Sequence, residues 1–418
     1  MSPQHHLPPR GNKKTLIIGF DFGTHSTKVV LRDRGKADGR IAEFDEFAEG
    51  YPLFASPSVV RKVGGNLLFG TTALKSSGGK LYSSLKVALL SKGEHDGNAP
   101  VEMRDNAILV AAYLAWAFKQ IRNSLDDDGY SNVFLNMAAP MSHFENTQLK
   151  TKYLRIVQAA WKLSFEEQGS LIKQGISDSD VASLLGPLLD APVQSSEQRR
   201  FDVLPETIAP VVSLSLDPFM EPGMYMIVDT GAGTTEMSVF HADEASGDQK
   251  VLCYRDDTIL LGGNDLLVAT SQAAEKTENA TVGIVNRLTR QYRRLWQEGY
   301  LLDAPNHNAR RRWMELTLVL SGGGTRNVRL ANELAKINPM YPWPEGETRL
   351  RVCRHEPGTL ELDGRMSNGD GSLFAVANGL AIERMRWPIV FQPSEIEPLG
   401  ATEELEDKPL AYWYLDAK

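Results

Sequence analysis

The sequence predicts an α/β protein built from two similar lobes, and three stretches carry that prediction. Leu16-Ile17-Ile18-Gly19-Phe20-Asp21-Phe22-Gly23-Thr24 is the first. Tyr225-Met226-Ile227-Val228-Asp229-Thr230-Gly231-Ala232-Gly233-Thr234-Thr235 is the second. Leu316-Thr317-Leu318-Val319-Leu320-Ser321-Gly322-Gly323-Gly324-Thr325-Arg326 is the third. Each sets apolar, β-forming residues before a Gly/Thr-rich turn. In the first two an acidic residue stands at the strand end, and the residues beyond the turn (Ser26 to Leu31, Met237 to Phe240) are again β-branched or apolar, which reads as a β-hairpin. The third runs into Asn327–Leu334, which has helical periodicity. The two hairpins, 208 residues apart, read as one structural device used twice.

Between the hairpins, helices are expected over Asn106–Leu125 and Glu145–Glu167 and a strand over Asn132–Ala138. Pro/Gly-rich breaks are expected at Pro205–Pro222 and Asn338–Pro344. Ile389–Lys418 is acidic, contains prolines and carries Tyr412-Trp413-Tyr414 near its end. It is expected either to strap over the body or to bind a partner.

Composition narrows the class. The chain has 418 residues, 42% hydrophobic and 23% charged, with net charge −8. This suits a soluble globular protein of two or more domains that repels nucleic acid and anionic membrane. The basic clusters Arg290–Arg294 and Arg310–Arg312 are expected to be solvated helix faces, so no nucleic-acid partner is expected. Two cysteines, Cys253 and Cys353, are too few for a disulfide framework or a metal cage. The polar, Pro-rich start is expected to be a loose tail rather than a targeting signal. The most apolar run, Ala107–Phe118, is 12 residues long, short of the roughly 20 that a membrane helix needs. A cytoplasmic protein with no membrane partner is expected.

The turns also carry chemistry. Phosphate oxygens need many N–H donors on a backbone that can approach closely, which Gly allows, and Thr adds a hydroxyl. A divalent ion bridging phosphates needs hard oxygen ligands, often through water, which Asp supplies. Gly23, Thr24 and His25 (through its backbone N–H), with Gly231, Ala232, Gly233 and Thr234, are therefore candidate phosphate binders. Asp21 and Asp229 would face the metal from opposite sides of a cleft.

In this order the motifs resemble the first phosphate, second phosphate and adenosine motifs of the actin-like ATPase superfamily, which includes actins, heat shock protein 70 chaperones and sugar kinases. The resemblance covers roughly residues 15–388. It implies a two-lobed fold of duplicated ribonuclease-H-like domains, with ATP or ADP and Mg²⁺ in the cleft between lobes. Gly322, Gly323, Gly324 and Arg326 resemble the chaperone adenosine motif, whose Arg stacks on adenine. Asp257–Asp265 resembles a further chaperone segment, and Asn132–Pro140 a chaperone strand. Lys86 sits where the chaperones carry a Lys that positions the γ-phosphate and attacking water. Pro205-Glu206-Thr207 resembles the segment whose Glu touches the metal's water shell, which puts Asp21, Glu206 and Asp229 around the metal through water. Ala375–Ala381 resembles the helix that closes the nucleotide domain. Lys28, seven residues after Asp21, has the spacing of an actin Lys that contacts the β-phosphate, and Asp229–Glu236 is close to the second phosphate motif of bacterial cell-shape actins.

Two departures qualify the likeness. Gly263 to Gly322 spans only 59 residues, so the outer part of lobe two is expected to be reduced, with only one or two helices (Asp265–Glu275, Val282–Glu298). The 30 residues after Pro388 are too few for a peptide-binding domain. The expected division is a tail 1–14, lobe one 15–210, lobe two 211–371, a closing helix 372–388 and a tail 389–418. The implied function is a slowly hydrolysing, heat-shock-protein-70-like switch that works with a partner protein, with catalysis by Asp21, Lys86, Glu206 and Asp229. One alternative is an actin-like filament former that self-associates, for which segment 166–198 could supply the contact. The other is a small-molecule kinase.

Overall fold

The first Gly/Thr turn reverses the chain between Lys14–Phe22 (β1) and Ser26–Asp33 (β2), which pair antiparallel with Asp21 opposite Lys28. Gly39–Ile41 (β3) continues the meander, and Tyr130–Ala139 (β4) and Phe201–Pro205 (β5) add in parallel on the far side of β1. The order is β5-β4-β1-β2-β3. The second turn repeats the device. Gly223–Thr230 (β6) and Thr235–Asp243 (β7) form a hairpin with Asp229 opposite Glu236, and Lys250–Ile259 (β8) extends it. Glu315–Ser321 (β9) and Arg349–Arg354 (β10) then add in parallel beyond β6. The order β10-β9-β6-β7-β8 matches the first sheet strand for strand. The structure, a computed structural model, describes residues 14–44, 49, 51, 54–89, 99–125, 129–140, 147–165, 176–193, 200–217, 220–243, 249–263, 274–305, 309–326, 328–336, 349–366 and 369–396.

Strand alternation sets the layers, because successive side chains point to opposite faces. Leu16, Ile18, Phe20 and Phe22 of β1 bury against helices Ala99–Leu125 (α1) and Thr147–Phe165 (α2). Asp178–Asp190 (α3), in the described part of segment 166–198, packs into the same cluster through Val181 and Leu185. In the second sheet Met224, Met226 and Val228 face Leu288, Tyr292 and Trp296 of the long helix Ala274–Asp303 (α5). The intervening residues Tyr225 and Ile227 face Ala209–Ser215 (α4). On the first sheet's inner face lies Ala375–Leu380 (α6), with Ala377 and Ala381 in its core.

The two inner helices, α4 and α6, meet backbone to backbone. A Cβ at Gly379 would overlap the Ala209 carbonyl oxygen, so only glycine fits at the crossing. A buried polar string ties the elements around it. Arg32 on β2 donates to Asn378 Oδ1 at 2.7 Å, and Asn378 Nδ2 donates to Ser213 Oγ at 2.9 Å. Ser213 Oγ in turn lies 2.9 Å from His355 Nε2. Burial pulls the His355 pKa down to about 4, so its imidazole stays neutral.

The architecture is α/β as predicted, but several expectations need correction. Pro205–Pro222 is not simply a break, since it holds the fully buried α4, whose Pro210 lies in the first helical turn where the missing N–H costs nothing. The tail expected from 389 starts too early, because Ile389–Phe391 pairs in parallel with β8. Leu360–Glu361, assigned to lobe two, pairs with β3 of the first sheet. After Gly263 a helix runs from Ala274 to Asp303 and contains the expected Val282–Glu298, while residues 264–273, most of the other expected helix, lie outside the described set. A four-stranded sheet that the sequence reading did not foresee joins Val60–Val63, Asn66–Phe69, Lys80–Tyr82 and Ile176–Ser177. No helix among the described residues is long and apolar enough to cross a membrane.

Candidate functional site

The three Gly/Thr turns converge. A Cβ at Gly233 in the second turn would come within 2.9 Å of Thr24 Cγ2 in the first. Gly322 of the third turn adopts φ +81, and a Cβ there would lie 2.6 Å from the Thr230 carbonyl and against Asp229 Oδ1. Only glycine tolerates both that backbone conformation and that approach. Thr325 Oγ1 closes the third turn on Gly322 O at 2.7 Å. The second turn is fixed from behind: Gly231 N donates to Thr234 O and Gly263 N to Gly231 O, each at 2.8 Å. Thr235 Oγ1 donates to Leu261 O at 2.7 Å. Ala232 packs against Gly262, where a Cβ would meet its carbonyl carbon and oxygen.

Six charged side chains gather where the turns meet. Asp21 accepts from Lys28 Nζ at 2.8 Å across the first hairpin. Lys86, on the single turn Leu85–Ala88, forms a buried bidentate ion pair with Glu206. Glu206 is held by its own N–H on Ala139 O at 3.0 Å. Its neighbour Thr207 reaches the second sheet, donating to Asp256 Oδ2 at 2.8 Å and accepting from Ser238 Oγ at 2.9 Å. Asp229 and Glu236 stand opposite each other across the second hairpin, both buried.

Burial and crowding decide the protonation. Asp229 is raised to about 6, first by desolvation and then by the charge of Asp21, while the Ser321 hydroxyl partly offsets this. Burial, then Glu206, pushes Glu236 well up, and Glu206 itself rises through burial. Lys86 stays charged: burial opposes this, but Glu206, Glu236 and Asp21 outweigh it. Four carboxyls against two ammonium groups leave an acid surplus of two, which must be met by bound protons or by a cation.

The sequence-predicted residues fall as follows. Asp21, Lys86, Glu206 and Asp229 form one electrostatic cluster. Gly23, Thr24, Gly231, Ala232, Gly233, Thr234, Gly322 and Gly324 line the converging turns, and Gly323 points outward. Lys86 sits on no amphipathic surface but is 4% exposed. The Lys28 amine is engaged by Asp21 and, at 3.3 Å, by Ser26 O. The His25 ring stacks on Tyr51 with centroids 4.2 Å apart, and burial followed by the Lys28 charge lowers its pKa. Of Arg326 only the backbone, in the turn Gly323–Arg326, is within the described set, so the expected adenine contact is outside it.

Sequence reading missed three groups. Glu236 was legible, since it follows Asp229 by the same seven residues that separate Lys28 from Asp21. The Ser321 hydroxyl contact with Asp229 and the buried Tyr153, whose hydroxyl has a pKa raised by burial and then by Glu206, had no sequence signal.

The donor set fits a hydrated divalent cation beside a phosphate chain. Thr24 Oγ1, Thr230 Oγ1 and Glu236 Oε1 are buried without a hydrogen-bond partner in the protein, all at the convergence of the turns. Such orphaned groups imply an external partner. Among the described residues no three acidic, His or Cys side chains close on one point as direct metal ligands. No known family model matches the chain, and no curated protein matches it in sequence.

Proposed function

We propose that the chain is a Mg²⁺-dependent ATPase of the two-lobed, actin-like kind, acting as a heat-shock-protein-70-like switch. The observation that carries this reading is the convergence of three Gly/Thr turns on a buried cluster with two surplus carboxyls. The repeated sheet order, with paired inner helices between, supports the duplicated-lobe architecture.

In this reading the backbone of Gly23–His25 and Gly231–Thr234 donates to the phosphates of ATP, and the Thr24 hydroxyl finds there the acceptor it lacks. Mg²⁺, when bound, supplies charge neutralisation of the phosphate oxygens, with Asp21, Glu206 and Asp229 holding its water shell. A bound cation would offset the burial and neighbouring charges that raise Asp229 and Glu236, and so would favour their ionised forms. Lys86, fixed by Glu206, holds a positive charge against the charge that develops as water attacks, so catalysis rests on positioning and electrostatics. Lys28 neutralises Asp21 in the structure and is placed to exchange that partner for a phosphate oxygen. Hydrolysis would change how the two halves close, and a partner protein that prefers one state would read the change.

The test is purified protein with ATP and Mg²⁺, assayed for phosphate release and for sedimentation in the same tube. Turnover that depends on Mg²⁺ without pelleting is the expected result. ATP-dependent pelleting would replace the switch with a filament former, and the absence of both nucleotide binding and turnover would refute the nucleotide site.

A further inference from the structure

A second cavity lies on the first sheet, away from the turns. Helix α6 has six residues, about 9 Å of helix. Strand β1 beneath it has nine, about 30 Å. The helix therefore covers only the site end of the inner sheet face. Over the other end the segment Ile382–Trp387 arches and leaves a cavity of about 380 Å³, within the usual range for ligand pockets. Its floor is apolar, with Ile17, Phe134 and Leu204. Asn136 closes the upper end by donating to Leu380 O at 2.7 Å.

The rim is aromatic and carries three arginines against two acids, Asp202 and Glu383, a net charge of one positive unit. Arg34, Arg200 and Arg384 arrive from three separate parts of the chain. Arg384 lies over the Trp387 ring at 4.1 Å, and Arg34 pairs with Glu383 at 2.6 Å. Arg200 is exposed and has no ion-pair partner among the described residues. Met385 stands at the mouth, 85% exposed, the most exposed of the large apolar side chains described. An apolar floor under guanidinium groups favours an occupant with aromatic side chains flanked by acids.

We propose that this cavity receives the chain's own segment Tyr412-Trp413-Tyr414-Leu415-Asp416. Residues 397–418, which lie outside the described structure, hold six acidic residues against two lysines and the aromatic triplet. Their net negative charge is opposite in sign to the small net positive charge of the rim. The described chain stops at Ile396, nine residues beyond Trp387 in the cavity wall. Trp413 is 17 residues further on, up to roughly 55 Å of extended chain, so the segment can return to the cavity. Burying an indole and a phenol with their polar ends at a basic rim suits both ring types. The docked segment would hold the Ile382–Trp387 arch down on the sheet. This inference does not depend on the nucleotide reading.

Disulfide trapping in the full chain tests it. In a Cys353→Ser background, which leaves only the buried Cys253, Met385→Cys is combined with Leu415→Cys and oxidised at low protein concentration. We expect an intramolecular crosslink that forms about tenfold faster than that of Met385→Cys with Thr402→Cys, since a docked segment has a higher effective concentration than a free tether. Trp413→Ala should remove that advantage, as should Arg200→Glu with Arg384→Glu. Equal rates for the two pairs would overturn the proposal. A crosslink found only in dimers would overturn it in favour of a second copy's segment.

Discussion

The two hairpins have the same backbone and opposite electrostatics. In the first, Asp21 faces Lys28 and the pair is neutral at 2.8 Å. In the second, Asp229 faces Glu236, and two buried carboxyls share a position that in the first hairpin holds a salt bridge. One half is satisfied within the protein, whereas the other is only partly relieved by Ser321, Thr234 and the nearby lysines. The same hairpin geometry thus carries opposite charge at one cross-strand position.

The largest effect should come from the pair that lies between the hairpins. Removing the Lys86 ammonium (Lys86→Met) leaves Glu206 buried and unpaired, so we expect a loss of about 3–5 kcal/mol in chemical denaturation. Lys86→Met with Glu206→Leu should recover most of it. If the single variant costs little, Glu206 does not depend on Lys86 and the cluster has been misread.

Next, matched substitutions should give opposite signs. Asp21→Asn strands the Lys28 charge and should destabilise by about 1–3 kcal/mol. Asp229→Asn removes a carboxylate whose shift from 3.8 to about 6 reflects an unfavourable charge. It should stabilise the nucleotide-free protein on the order of 2–3 kcal/mol at pH 7. Both should abolish turnover. Equal signs in thermal unfolding would remove the asymmetry between the hairpins.

The smallest effect is the pH profile. Asp229 binds its proton more tightly folded than unfolded, so its contribution to stability is full below about pH 4 and is lost as pH rises to about 6. Glu206 and Glu236, also raised, act in the same direction. Nucleotide-free protein should therefore show a falling contribution across this window, weaker in Asp229→Asn, and saturating Mg²⁺–ATP should flatten it. An identical slope in wild type and variant would exclude Asp229 as its source.

Local features of the site were legible, and long-range ones were not. Each hairpin announces itself within some twenty residues, because turn chemistry and strand alternation are local. The pairing of Lys86 with Glu206 joins residues 120 apart, and no local pattern marks it. Helix α4 was hidden because Pro210 was read as a breaker, although the first turn of a helix accommodates proline. Glu236 went unread for another reason: its meaning lies in comparing two registers, and either hairpin alone shows only a polar strand residue.

The glycine at the crossing of α4 and α6 has a consequence far from its own position. The two inner helices touch at a point where no side chain can stand, so their closest approach is set there by main chain. Any residue added at 379 acts as a wedge, and a wedge near the middle of a pair of tongs is felt at the tips. Damage there would present itself as a defect in the grip of the Gly/Thr turns, with every residue of the charged cluster intact.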